Sequence, residues 1–197
     1  MDLAPITLQG DHVRLEPLKP QHADSLLEAA RDPRIWQFTT ALVLNAADMR
    51  KYIETALDWQ KAGTAVPFVT IARDAAGDRV VGSTRFANID KENRRAEIGW
   101  TWITPSYWRT VINTEAKYLM LRHAFEAWKC IRVELKTNAK NERSRAAIAR
   151  IGGKEEGILR HHMINADGTY RDSVYFSILD DEWPDVKRRL EERLARG

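Results

Sequence analysis

The chain has 197 residues, 44% hydrophobic and 30% charged, a balance that excludes a disordered or membrane-embedded protein. Its 31 basic and 28 acidic residues leave a formal charge of +3, too even to call for nucleic acid, and a pI near 9.0 suits an anionic small partner equally well. The single cysteine, Cys130, excludes an internal disulfide and reads as a small buried hydrophobe. Met1 to Gln9 lacks the basic start and apolar run of a secretory leader, so cytoplasmic residence without membrane contact is expected.

In chain order, the alternation of Val13 and Leu15 predicts a strand over His12 to Leu18. Ala23, Leu26, Leu27 and Ala30 then fall at helical spacing over His22 to Arg31, and Asp32-Pro33 stops that helix. A second helix runs from Ala46 to Lys61, with Asn45 as its N-cap. Val66 to Ala72 and Arg79 to Ala87 read as an antiparallel pair turning at 74–78, and Arg95 to Ile103 as a further strand. Tyr118, Leu121, Ala124, Phe125 and Trp128 form the apolar stripe of a helix from Thr114 to Lys129. Arg132 to Thr137 is a short strand. The helix that follows starts at Asn141 or Glu142 and ends at Gly152-Gly153, a pair suited to a left-handed cap. A hairpin of Glu155 to Ile164 with Tyr170 to Leu179, and a helix from Trp183 to Leu194, complete the chain. The expectation is one domain over 1–197, an α/β fold with seven strands and flanking helices.

The stretch from Glu97 to Lys117 runs from a strand through a loop into a helix start. Amides at a helix start lack intrahelical partners and carry the positive end of the dipole, so this is either a pyrophosphate site or an ordinary connection. His161-His162 is the only close histidine pair; on a strand the two point to opposite faces, and no metal is expected. Neither a nucleophile-elbow nor a Walker sequence is present.

Glu97-Ile98-Gly99-Trp100, Pro105, Trp108 and Glu115-Ala116 occur in the order seen in the ribosomal-protein N-acetyltransferase-like branch of the GNAT superfamily. The agreement continues through Arg122-His123-Ala124-Phe125-Glu126, Asn141-Glu-Arg-Ser144 and Tyr170-Arg171-Asp172. The chain resembles that branch over most of its length. The resemblance implies a mixed, mostly antiparallel seven-stranded sheet with a central splayed strand pair, and acetyl-CoA as cosubstrate. The loop departs from the family pattern: Arg109-Thr110-Val111-Ile112-Asn113-Thr114 has Val111 and Asn113 where small residues are common. The amides from Trp108 to Thr114, with hydroxyls of Thr110 and Thr114, are expected to hold the diphosphate. By the same resemblance Trp102 and Ile103 would contact the pantetheine arm, Asn141 would hydrogen-bond it, and Ser144 would protonate the departing thiolate; an Asn N-cap with a polar first turn is the alternative.

Transfer needs a neutral amine, donors for the developing oxyanion and a base. Glu97 is the candidate base, since its strand would line the acceptor cleft; otherwise it is a solvated or ion-paired residue near Arg85, Arg94 and Arg95. Asp172 is the second candidate. Trp36, Phe38, Phe86, Tyr107 and Tyr175 are expected to wall the acceptor pocket or else to pack in the core. The acceptor is a protein N-terminus or a small-molecule amine. A non-catalytic CoA-binding relative and a homodimer are both open.

Overall fold

The computed structural model describes residues 1–75 and 77–196; Ala76, in the turn expected at 74–78, and Gly197 lie outside the described residues. The elements are β1 (Leu8–Gln9), β2 (Val13–Pro17), α1 (Ala23–Ala29), α2 (Ala46–Lys61), β3 (Val66–Asp74), β4 (Gly77–Asp90), β5 (Arg95–Ile103), α3 (Val111–Arg122), β6 (Arg132–Asn138), α4 (Glu142–Arg150), β7 (Lys154–Ile164), β8 (Tyr170–Leu179) and α5 (Trp183–Leu194). They build one eight-stranded sheet in the order β1-β2-β3-β4-β5-β6-β8-β7. The expected seven strands become eight because Leu8 and Gln9 pair with Leu15 and Arg14, a two-residue strand too short to carry a periodicity.

Both faces of the sheet are covered, which is why β3 is buried almost throughout rather than alternating. Phe68 and Val66 point to a core shared with α3 and α5, and Val69 and Ile71 to a second core under α1 and α2. Cys130 sits in the first core, where burial pushes its thiol up to about 11. Asn45 caps α2 as expected, accepting from the amides of Ala47 and Asp48. Gly152 takes the left-handed turn after α4, with φ of 100°.

Two irregularities of the sheet create the cleft. β5 and β6 are parallel neighbours only from Arg95 to Glu97 against Arg132 to Glu134. Beyond that point they diverge, β5 keeping to β4 and β6 to β8. Opposite Ser83 to Arg85, β5 also carries an extra residue, a bulge in which Trp100 adopts φ of 48°.

α3 begins three residues before the expected Thr114, so Val111 to Thr114 are its first turn rather than loop. It continues as a π-helical turn over His123–Ala127.

Candidate active site

The opening between β5 and β6 holds a cleft of about 720 Å³, lined on one side by Glu97 to Ile103 and on the other by Leu135 to Thr137. The N-termini of α3 and α4 both face it, because each helix follows directly from one of the diverging strands. Of the residues singled out from the sequence, Glu97, Trp102, Ile103, Trp108, Arg109, Thr110, Asn113, Asn141, Ser144, Trp36, Phe38 and Tyr107 line this cleft.

Others stand elsewhere. Phe86 is fully buried among Phe68, His123 and Trp128 and does not line the cleft, because its strand register turns it to the α3 face of the sheet. Tyr175 lies beyond the cleft wall, packed on His162 and on the Lys136 ammonium. Ile112 and Thr114 are buried with their side chains away from the cleft, and Val111 packs against the core. Their side chains therefore offer nothing to a phosphate, the Thr114 hydroxyl is no phosphate donor, and the Thr114 amide, four residues on from the N-cap, falls inside the helix ladder. The Thr110 hydroxyl is also engaged: it donates to the Tyr107 carbonyl (2.8 Å) and accepts from the Ile112 amide as the N-cap.

Glu97 is 2% exposed and takes two donors on Oε2, Lys136 Nζ and Asn88 Nδ2, each at 2.8 Å. It is thus ion-paired, with Lys136 of β6 rather than with Arg85, Arg94 or Arg95. Its other oxygen, Oε1, lies against Gly99, where a Cβ would come within 2.7 Å. Arg85 instead is caged by Tyr52, Trp59 and Trp100, its guanidinium 5.1 to 5.4 Å from the three rings. Asp172 accepts from the amide of His161 at 2.7 Å, a local bond within the last hairpin.

Asn141 Oδ1 accepts from the Ser144 amide at 3.0 Å, so the capping alternative holds for that oxygen. The Ser144 hydroxyl finds no hydrogen-bond partner among the described residues and opens to the cleft.

At the cleft mouth Trp108 donates to the Ile103 carbonyl at 2.7 Å, with the Arg143 guanidinium 3.3 Å and that of Arg34 5.5 Å from its ring. Arg34 is paired with Asp32, whereas Arg109 and Arg143 have no carboxylate partner among the described residues. Burial lowers the Arg143 pKa, and the charges of Arg109 and Arg34 lower it further. A convergence of positive charge beside the free amides of the α3 start fits a diphosphate. Acetyl-CoA would be held here through Arg109, Arg143 and those amides.

Sequence reasoning missed Lys117. It lies on the buried side of α3, lines the cleft, and its Nζ donates to Thr84 Oγ1 (3.2 Å) and Thr101 Oγ1 (2.5 Å). Burial lowers its pKa from 10.5 to about 7. The signal was present: Lys117 falls on the stripe of Leu121, Ala124 and Trp128, at helical spacing.

The diverging parallel pair, the bulge beside the gap and the two helix starts at its mouth together form a cleft with room for an extended ligand that ends in an anion. The family profile described as "Acetyltransferase (GNAT) domain" matches residues 12–154, and the chain belongs to this family, whose acyl donor is acetyl-CoA. It is 31% identical over 183 residues to the "Putative ribosomal N-acetyltransferase YdaF" of Bacillus subtilis (strain 168), covering 90% of this chain and 97% of that one. A GCN5-related N-acetyltransferase from Brucella melitensis superposes with a TM-score of 0.88 at 31% identity, over 96% of this chain and 86% of that one. Mycobacterium smegmatis RimJ, solved in complex with CoA-disulfide, shares the fold at 24% identity, with a TM-score of 0.81 over 97% and 96% of the two chains.

Proposed function

We propose that this chain, as one catalytic domain in the cytoplasm, moves the acetyl group of acetyl-CoA onto the α-amino group of a protein or peptide. Glu97 is the base and Ser144 the acid. The observation that carries the reading is that a buried carboxylate and an unpartnered hydroxyl open on one cleft between the diverging strands. The name of YdaF points to a ribosomal protein as acceptor. An α-amine, with a pKa near 8 against about 10.4 for lysine, is also the nucleophile more readily deprotonated at neutral pH.

In this reading Lys136 and Asn88 hold the Glu97 carboxylate in place while Oε1 takes the proton of the attacking amine, directly or through one water. Trp36 and Phe38 wall the acceptor end. Ser144, at the start of α4, gives its proton to the thiolate.

Thiol release from acetyl-CoA is the assay, run against peptides with free and blocked N-termini and against a panel of small amines. Turnover with the free N-termini alone supports the assignment; turnover with the small amines alone replaces the acceptor, and none at all removes the activity. Glu97→Gln is expected to lower kcat about a hundredfold or more, most severely at low pH where the acceptor arrives protonated. Unchanged rates across pH would remove Glu97 from the mechanism. Ser144→Ala is expected to cost about ten- to a hundredfold in kcat with little change in KM for acetyl-CoA. A full rate would leave this serine only as a polar residue of the capped first turn.

A further inference from the structure

Lys117 has no task in the transfer outlined for Glu97 and Ser144, yet its ammonium is enclosed at the edge of the same cleft. An ammonium only donates, so both threonine oxygens it contacts accept from it and each keeps its own hydrogen to give. Thr84 is buried and can direct its hydrogen to Thr101 Oγ1 (2.7 Å), with the Gly99 carbonyl (3.5 Å) and the poor acceptor Met120 Sδ (3.7 Å) as the weaker choices. Thr101 is exposed to the cleft beside the Trp100 bulge, and its one competing acceptor among the described residues outside the Lys117 contact and Thr84, the Gly99 carbonyl, stands at a weak 3.4 Å. The pair thus presents a charge-assisted hydroxyl donor to the cleft, with the charge stored behind it out of water.

We propose that the Thr101 hydroxyl, charged through Lys117, donates to the carbonyl oxygen of the bound acyl group. Thr101 is then a catalytic residue and Lys117 a positioning residue that supplies the charge. As the amine lone pair forms the new C–N bond, the carbonyl π pair moves onto the oxygen held by Thr101. It returns as the C–S bond breaks, the amine's proton going to the base and the thiolate taking a proton from the acid. A donor aimed where charge develops, in a site shielded from water, acts more strongly than it would in solvent. This deepens the acetyl-transfer reading and rests on it only for the acyl donor.

The charged groups around Lys117 leave its ammonium to the threonines. On its own helix, Glu115 turns to the amides of residues 11–13. Across the cleft, β5 and β6 present Glu97 and Lys136, which pair with each other, β8 presents Arg171, and α4 presents Glu142, Arg143 and Arg150. Lys117 has its own charge only below its lowered pKa of about 7, so the donor weakens as the pH rises through that value.

The test uses acetyl-CoA labelled with carbon-13 at the thioester carbonyl and needs no acceptor. On binding to the native protein the carbonyl resonance is expected to move downfield, and to return towards its free position as the pH rises through the lysine titration. Lys117→Met and Thr101→Val each abolish that displacement while still binding acetyl-CoA. In turnover with the acceptor found above, each loses about a hundredfold in kcat, and the double variant loses no more than either alone. A carbonyl resonance unmoved in the native protein, equally moved in either variant, or moved without regard to pH overturns the proposal. If Lys117→Met does not fold, Thr101→Val carries the same test. A moved resonance in a protein that acetylates no peptide would sink the peptide acceptor and leave this proposal standing.

Discussion

Lys117→Met is expected to make the protein more stable, by several kcal/mol at and below neutral pH. The ammonium is buried without a carboxylate partner among the described residues, and burial lowers its pKa from 10.5 to about 7. At about 1.4 kcal/mol for each tenfold change in equilibrium, that difference corresponds to a cost on the order of 5 kcal/mol carried by the folded state. The sign follows from proton binding: between about pH 7 and the lysine's ordinary 10.5 the unfolded chain holds a proton that the folded chain has released, so stability rises with pH across that window. Below the window both states are protonated and the whole cost is felt; above it both are neutral and the cost is gone. Methionine fills a similar volume without charge, and Thr84 and Thr101 remain hydrogen-bonded to each other at 2.7 Å. Urea unfolding at about pH 6 and about pH 9 would measure it. Both should be the more stable at the higher pH, because burial lowers His22, His123 and His162 in each, and the native protein should gain clearly more than the variant. A destabilised variant, or a native protein flat across the window, would show that Lys117 is not held as an uncompensated charge. A residue that costs folding energy inside a catalytic cleft is what a functional role would require, so this measurement and the carbonyl spectrum bear on each other.

Glu115→Ala should act in the opposite direction, with a loss of about 3 to 5 kcal/mol. The Glu115 carboxylate, 5% exposed, accepts from three successive amides, Asp11 (3.0 Å), His12 (2.8 Å) and Val13 (2.7 Å). It thereby ties the turn between β1 and β2 to the first turns of α3. The approach is so close that a Cβ on Gly10 would meet the Glu115 carboxyl carbon at 2.5 Å. Alanine leaves three donors without their partner, that of Val13 buried, whereas Glu115→Gln keeps one oxygen and should lose roughly half as much. Urea unfolding gives the magnitude, and hydrogen exchange at Val13 gives the cause, since that amide should lose its protection first. A change below about 1 kcal/mol would mean that water replaces the carboxylate at no cost. Because Glu115 anchors the helix whose free amides face the cleft mouth, weaker binding of acetyl-CoA should accompany the instability.

Local signals are legible in the sequence. The Asn45 cap, the glycine pair after α4 and the bounds of α5 came out as expected, because each depends on residues within a turn or two of one another. The misses have specific causes. α3 starts ahead of the expected Thr114 because its apolar stripe begins only at Tyr118, whereas the chain enters the helix at Arg109, with φ of 63°, followed by the Thr110 cap. For Phe86 the alternative of core packing holds: an aromatic residue on a strand can face either way, and which way follows from a register set by β3 and β5. Lys117 does not stand out in the sequence because a lysine in a helix is ordinarily a solvated one.

From its residues alone, the chain dictates the order of strands and helices, the capped helix starts and the motifs that place it among the GNAT acetyltransferases. These depend on periodicities of two and 3.6 residues and on short-range hydrogen bonds, which a linear string records. Tertiary structure alone decided that Glu97 pairs with Lys136, that Arg85 sits among three rings and that Thr101 stands between a buried ammonium and the open cleft. Those partners are far apart in sequence and meet only through strand order, the divergence of β5 from β6 and a single extra residue in β5. Such packing choices among distant segments leave no repeat in the sequence to read.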